Sequence, residues 1–191
     1  MEKIKKILNN EINETIRVLN KILINKNKIF YKLCEQSLEA VNKNKKIIFA
    51  GNGGSAADSM HLCTELEVRY KKKRKSIPAL SLASNNASIT AISNDFNFRF
   101  VFSRQLEGIG NAGDILILMT TSGNSQNLIE AAKLAKKKKM KVFCLSGNGG
   151  GKIKKFLKQI IIIPSKTTSI IQICELTLGH ILSDYLEKNY K

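Results

Sequence analysis

The sequence is poor in residues that define several classes of protein, with no tryptophan and only two prolines and two histidines in 191 residues. Cysteine occurs four times, at separated positions without a CxxC pair, which argues against a cysteine zinc finger or a disulfide scaffold. Most of the cysteines adjoin apolar residues, so we expect reduced thiols in the core of a cytoplasmic protein. They are Cys34, Cys63, Cys144 and Cys174.

Long apolar segments are also missing. The longest runs, such as residues 160–164, are far too short to cross a bilayer, and the residues after Met1 are rich in lysine and asparagine instead of forming an apolar signal sequence. With 43% hydrophobic residues, the chain still has the apolar material for one core. We therefore expect no membrane partner and a single domain over residues 1–191, with N-terminal helices (1–44) and a sheet-and-helix core (45–191).

Acidic residues are scarce: 15 aspartates and glutamates stand against 32 lysines and arginines, a formal net charge of +17. The basic runs Lys71–Lys75 and Lys136–Lys139 are typical of nucleic-acid-binding segments. Base-stacking aromatic residues do not alternate with these lysines, however, and lysine is abundant along the whole chain. The composition therefore argues against a nucleic-acid partner, while a basic surface should attract sugar phosphates.

Apolar residues recur at helical spacing near the N-terminus and predict two helices. The first carries Ile4, Ile7, Leu8, Ile12, Ile16, Leu19 and Leu23, and the second carries Phe30, Leu33, Cys34, Leu38 and Val41. From Lys45 onwards, five short apolar runs predict strands: Ile47–Ala50, Ile77–Leu82, Ile115–Met119, Val142–Leu145 and Ile160–Ile163. Their alternation with helical stretches predicts an α/β fold, a doubly wound parallel sheet with its ligand site at the carboxyl ends of the strands.

A glycine-rich loop, Gly51–Ala56, follows the first predicted strand and precedes a predicted helix that runs through His61, Glu65 and Arg69. This first glycine loop matches the loose G-x-G-x-x-A pattern of dinucleotide-binding folds. That pattern also needs an acidic residue about 20 positions further on, where this chain has the basic run Lys71–Lys75. A nucleotide-binding Rossmann fold is therefore disfavoured.

A hydroxyl-rich loop, Thr120–Ser125, follows the third predicted strand, and a helix is predicted to begin near Gln126. Its four hydroxyl groups, its glycine and the free N–H groups of a helix start would form a neutral binding site for a phosphate dianion. A P-loop lysine is absent, so a nucleoside triphosphate is not indicated. The alternative is an ordinary helix cap rich in serine and threonine, which this segment alone does not separate from a phosphate site.

Two predicted helices each combine a histidine with a second metal-binding side chain. His61 and Glu65 stand at i and i+4 on one helix, and Gln172 and His180 are eight residues apart on the last helix. Nitrogen and oxygen donors of this kind suit a borderline divalent ion such as zinc. Spacing alone leaves a plainer interpretation open, in which His61 is a surface residue and His180 a core residue.

Together, the motifs resemble those of the phosphoheptose isomerases, which belong to the SIS (sugar isomerase) domain superfamily, over nearly the whole chain. The matching segments are GNGGSAADSMH (51–61), ELEVRY (65–70), ISNDFNFRFVFSRQLE (92–107), TTSGNSQN (120–127), GNGGGK (147–152) and IQICELTLGHIL (171–182). The resemblance implies a flavodoxin-like five-stranded sheet and a homotetramer with active sites between subunits. It also implies isomerisation of sedoheptulose 7-phosphate to D-glycero-D-manno-heptose 7-phosphate, through an enediol, for lipopolysaccharide or another surface glycan.

The resemblance further implies roles for individual residues. Phosphate would be held by Ser55, Thr120, Thr121, Ser122 and Ser125, and the sugar would be lined by Asn52, Gly53, Gly54, Glu65, Gln172 and by Asn94 and Asp95 of an SND turn. One zinc ion per subunit would be bound by His61, Glu65, Gln172 and His180. Glu65 is the candidate base and His180 its partner in proton transfer, although these two roles could be exchanged.

Some positions depart from the family pattern. Thr120 stands where serine is usual and keeps the hydroxyl. Many relatives carry Asp or Ala at position 169, Arg at 170, Glu at 173 and His at 175, where this chain has Ser169, Ile170, Ile173 and Glu175. These departures put the polar network beside Gln172 in doubt. Two alternatives stay open: a non-catalytic SIS protein that binds a replication initiator, against which the four metal donors argue, and a SIS enzyme acting on another sugar phosphate.

Overall fold

The computed structural model describes residues 1–24 and 27–191 and contains one five-stranded parallel sheet. Its strands are β1 (Ile47–Gly51), β2 (Ala79–Ser81), β3 (Ile115–Thr120), β4 (Lys141–Ser146) and β5 (Ile160–Ile162). Their order across the sheet is β2-β1-β3-β4-β5, which is the flavodoxin-like order, so the predicted fold class is confirmed. Because the strand order reverses between β1 and β3, the crevice beyond their carboxyl ends is the expected ligand site.

Seven α-helices accompany the strands in the described ranges. They are α1 (Glu2–Ile24), α2 (Lys28–Asn42), α3 (Gly54–Glu67), α4 (Asn86–Asp95), α5 (Val101–Ile109), α6 (Gln126–Lys137) and α7 (Thr168–Asn189). Short 3-10 turns cover Phe98–Phe100, Asn148–Gly150 and Lys152–Lys155.

The sheet is buried on both faces, which explains why its strands are continuous apolar runs in the sequence. Along β3, Ile117 and Met119 point into a core shared with α2, α3 and α7, whereas Leu116 and Leu118 point into a second core shared with α5 and α6. All four cysteines are buried, in agreement with the expected core thiols. The side chains that could carry chemistry are therefore left to the loops and helix surfaces.

Two predicted boundaries are wrong. The strand expected over Ile77–Leu82 is only three residues long, because the Ile77 N–H bonds to the Leu66 carbonyl of α3 and Pro78 has no N–H to give to the sheet. The helix expected to run through Arg69 ends at Glu67, where the Val68 N–H bonds back to the Thr64 carbonyl.

Helix α1 forms as predicted, but most of its apolar residues face outward and Val18 is its one buried residue. The exposed ones are Ile4, Ile7, Leu8, Ile12, Ile16, Leu23 and Ile24. In α2 the predicted apolar face is buried or partly buried. Within residues 1–24 and 27–191, no helix combines the length and apolarity that a bilayer crossing requires.

Candidate active site

The first glycine loop continues β1 at the switch point and turns at once into α3. Gly51 permits this tight turn, because a Cβ atom there would lie 2.4 Å from the Ser55 carbonyl oxygen. Gly53 has a φ of 55°, a left-handed conformation that glycine adopts at little cost. Ser55 is thereby placed in the first turn of α3, where backbone N–H groups have no partner within the helix.

The hydroxyl-rich loop continues β3 beside the first glycine loop, and the two enclose a small cavity of about 70 Å³. That volume corresponds to roughly two water molecules and suits one phosphate group better than a whole sugar. The lining residues are Asn52, Ser55, Met119, Thr120, Thr121, Ser122, Ser125 and Gln172. The structure thus brings together all five predicted phosphate ligands.

The hydroxyls of this loop differ in how they are used. Thr120 Oγ1 accepts a bond from the Gly123 N–H at 3.1 Å and so shapes the loop. Ser125 occupies the N-cap position of α6, yet its side chain makes no capping bond within the described residues. Ser125 therefore does not act as an ordinary helix cap, and its hydroxyl is available to a ligand.

Asn52 is fixed by a partner that the sequence analysis did not single out. Its amide exchanges two hydrogen bonds with the amide of Asn127 in the first turn of α6, at 3.0 and 2.8 Å. Asn127 is only 3% exposed, so the pair joins the first glycine loop firmly to α6. The one available signal was its place at the end of the TTSGNSQN motif.

Helices α3 and α7 pack side by side and bring three of the four predicted metal donors together. His61 Nε2 lies 3.0 Å from His180 Nε2 and 3.3 Å from Glu65 Oε1. One donor atom from each of the three lies within 4.8 Å of the others. The plainer interpretation of His180 as a core residue does not hold, because it is only partly buried and faces His61.

The geometry of this triad, His61, Glu65 and His180, fits a zinc ion. Two nitrogen ligands of a tetrahedral zinc lie about 3.3 Å apart, close to the separation of the two Nε2 atoms. Burial, and then the neighbouring His61, lower the pKa of His180, which favours the neutral imidazole that binds a metal.

Gln172 is not part of this triad within one chain. Its amide packs against Gly54, where a Cβ atom would lie 2.2 Å from Nε2. Eight residues of helix separate it from His180, a rise of about 12 Å along α7. The structure therefore places Gln172 at the phosphate cavity, and its predicted role as fourth metal donor is not seen in the single chain.

Asn94 and Asp95 lie in a helix and not in the expected turn. The SND segment is not a turn but the last turn of α4, where the Asn94 amide donates to the Asp95 carboxylate at 2.8 Å. Both residues are exposed, and their predicted contact with the sugar stays a prediction. The helix is capped one residue later, at Phe96, whose N–H bonds to the Ile92 carbonyl. Asn94 and Asp95 are therefore still within the helix.

Tyr70 and Glu187 support the triad and were missed by the sequence analysis. The Tyr70 ring stacks on His180 with centroids 5.4 Å apart and 23° between planes. Glu187, near the end of α7, accepts bonds from the backbone N–H groups of Tyr70, Lys71 and Lys72 at 2.8–2.9 Å. Although burial opposes it, these bonds and Arg74 hold the pKa of Glu187 below its usual range. Glu187 thus fixes the segment that carries Tyr70.

Replacing Glu187 with alanine is expected to lower the free energy of unfolding by about 3 kcal/mol, because three backbone N–H groups lose a charged acceptor. Urea unfolding measures this, with the exposed neighbour Lys188→Ala as the control. Since the pKa of Glu187 is lowered on folding, the contribution is present at neutral pH and is lost as the pH falls below about 4.5, its ordinary value. Equal stability of the two variants would contradict the assigned role.

The chain is similar to known proteins of one family along most of its length. A model of the SIS domain family matches residues 11–147. The phosphoheptose isomerase of Sulfurimonas denitrificans is 46% identical over 187 residues, which cover 98% of this chain and 93% of that protein. The phosphoheptose isomerase of Leptospira biflexa is 48% identical over 144 residues, 74% of each chain.

Solved structures agree with the sequence relatives. A phosphoheptose isomerase from Neisseria gonorrhoeae superposes with a TM-score of 0.90 at 33% identity, covering 97% of this chain and 99% of that one. One from Francisella tularensis gives a TM-score of 0.91 at 27% identity, covering 98% and 100%.

Proposed function

The chain belongs to the phosphoheptose isomerases of the SIS domain family, and we propose that it interconverts sedoheptulose 7-phosphate and D-glycero-D-manno-heptose 7-phosphate at the site between α3 and α7. The single observation that carries this proposal is that α3 and α7, which bring His61, Glu65 and His180 together, also contribute Ser55 and Gln172 to a hydroxyl-lined phosphate cavity. An aldose–ketose isomerase needs these two features: an anchor for the phosphate and proton-transfer groups at the other end of the sugar.

The reaction moves a proton from C1 to C2. A base removes the proton from C1 of the ketose, the C–H electron pair forms the C1=C2 double bond, and O2 takes a proton to give the cis-enediol. The proton then returns to C2 while O1 gives up its own. Glu65 is the proposed base, and neutral His180 can both accept and donate the proton that passes between the oxygens. Either residue could perform the first abstraction.

The phosphate would be held by hydroxyl and backbone N–H groups, without a lysine or arginine side chain among the described residues that line the cavity. The hydroxyls of Ser55 and the hydroxyl-rich loop converge there, and the N-termini of α3 and α6 add backbone N–H groups and a favourable dipole. Ten residues, or about 15 Å of helix, separate Ser55 from Glu65 along α3. Phosphate binding and proton transfer are therefore assigned to different ends of one helix.

We assign one zinc ion per subunit to His61, Glu65 and His180. Gln172 is proposed as a fourth donor, which would require a different side-chain position or a site shared between subunits. When bound, zinc polarises the sugar oxygens. The donors are accessible to a substrate, since the His61 side chain is 49% exposed.

A homotetramer with active sites between subunits is part of the proposal. The exposed apolar face of α1 and the exposed Phe96 and Phe98 offer surfaces that association would bury. We place the enzyme in the cytoplasm, where it would supply heptose for lipopolysaccharide or another surface glycan.

Removal of metal is expected to abolish turnover. Protein stripped with a chelator should lose at least about 99% of its activity, since both polarisation and ligand orientation are lost, and one equivalent of zinc per chain should restore it. Zinc should also raise the melting temperature of the wild type but not of His61→Ala. Full activity in the stripped protein would contradict the zinc assignment without excluding isomerisation.

A further inference from the structure

Glu175 is a buried carboxyl group on α7 with a single side-chain partner. It is fully buried, its Oε2 lies 2.9 Å from Ser55 Oγ, and its Oε1 has no hydrogen-bond partner among the described residues. Within residues 1–24 and 27–191, no lysine, arginine or histidine forms an ion pair with it. A carboxylate in such a place would be left without a counter-charge.

The groups that face Glu175 make ionisation still harder. The charge of Asp58 on α3 acts on it unfavourably, and the Cys144 thiol of β4 is close enough to be affected by Glu175 in turn. Burial, and Asp58 after it, raise the pKa of Glu175 to about 8, against the hydrogen bonds from Ser55 and the Thr120 backbone, which lower it. At neutral pH the side chain is therefore a neutral acid that carries a proton.

That proton decides which way the Ser55 hydroxyl points. A hydroxyl has one proton to donate, and an ionised carboxylate can only accept. If Glu175 is ionised, Ser55 must donate to it and turns only lone pairs towards the cavity. If Glu175 is protonated, it can donate to Ser55 Oγ, and the Ser55 proton is then free for a phosphate oxygen.

We propose that Glu175, as a neutral acid, is a positioning residue that turns the Ser55 hydroxyl outward as a donor to the substrate phosphate. The proposal rests on the proposed function, since it assigns the phosphate to the cavity that Ser55 lines. The protonated pair adds a hydrogen-bond donor, whereas an ionised Glu175 would add a negative charge directly behind the phosphate. Phosphate binding should therefore select the protonated form.

The test measures binding and not turnover. The probe is the sugar alcohol heptitol 7-phosphate, which has no carbonyl group and cannot isomerise, and whose phosphate stays a dianion above pH 7 because its second pKa is about 6. Titration calorimetry with the wild type should show roughly tenfold weaker binding at pH 9 than at pH 7, as the protonated fraction falls. Glu175→Gln keeps a donor N–H at both pH values and should lose this dependence.

Two further variants sharpen the result. Glu175→Ala removes both the proton donor and the competing acceptor behind Ser55, so its binding of the probe should also be the same at both pH values. Asp114→Asn removes a buried carboxyl group just before β3 begins, at the end of the sheet away from the phosphate cavity. This variant should keep the tenfold fall in affinity between pH 7 and pH 9. The proposal is overturned if Glu175→Gln keeps that fall, if wild-type binding is equal at both pH values, or if the wild type does not bind the probe at pH 7. Isomerase turnover, assayed separately at pH 7, shows whether the proposed function survives any of these outcomes.

Discussion

Replacing His180 with alanine is expected to lower the turnover number by roughly 10³-fold, because one side chain supplies both a metal donor and a proton-transfer group. His180 lies 3.0 Å from His61 and stacks on Tyr70, so its loss removes one of the three donors of the triad. Stability should change little, within about 1 kcal/mol, since the side chain is only partly buried. Steady-state kinetics and thermal unfolding measure the two effects.

The control for this variant lies on the same helix. Lys188→Ala removes an exposed side chain two turns beyond His180 and should leave turnover unchanged. If His180→Ala turned over at the native rate, the assigned chemistry would be wrong, whatever the state of the metal. If it lost turnover only because it unfolded, the melting curve would show this directly.

Replacing Gly123 with alanine should be the most damaging change in the hydroxyl-rich loop. Gly123 has a φ of 67°, and a Cβ atom there would lie 2.4 Å from the Gly150 carbonyl oxygen. Backbone cannot move aside as a flexible side chain can, so overpacking adds to the cost of the left-handed conformation. We expect a loss of about 3 kcal/mol in the free energy of unfolding and much weaker substrate binding.

Gly149→Ala is a matched control for the clash. Gly149 has the same φ of 67°, but no atom lies within 4 Å of a Cβ atom built there. The control should cost only about 1 kcal/mol, the price of the backbone conformation. Equal losses in the two variants, measured by urea unfolding, would show that the close contact between residues 123 and 150 contributes nothing.

The periodicity of the sequence predicts most of the sheet because a strand covered on both faces must be apolar throughout. β1, β3, β4 and β5 therefore fall within one residue of their predicted bounds. β2 does not, because its length is set by two local facts: Pro78 cannot donate to the sheet, and the Ile77 N–H is taken by α3. Local composition alone does not show which partner a given N–H will choose.

The site was predictable where its parts are local and unpredictable where they depend on helix packing. The i, i+4 spacing places His61 and Glu65 on one face of α3, but only the packing of α3 on α7 brings His180 within 3.0 Å. The same packing puts Gln172 against Gly54 and Glu175 against Ser55. Tyr70 lies in an irregular segment between α3 and β2, so no periodic pattern could have placed its ring on His180.

A proton-NMR assay of the purified protein with sedoheptulose 7-phosphate in D₂O, with added zinc and with a chelator, tests the isomerase assignment directly. The expected result is heptose 7-phosphate that appears only with metal and carries deuterium at C2, because the abstracted proton exchanges with solvent at the enediol stage. Turnover without any deuterium would contradict exchange at the enediol and would show that the hydrogen passes from C1 to C2 directly or through a base shielded from solvent. No turnover under any metal condition would contradict the isomerase assignment and favour a non-catalytic, partner-binding SIS protein.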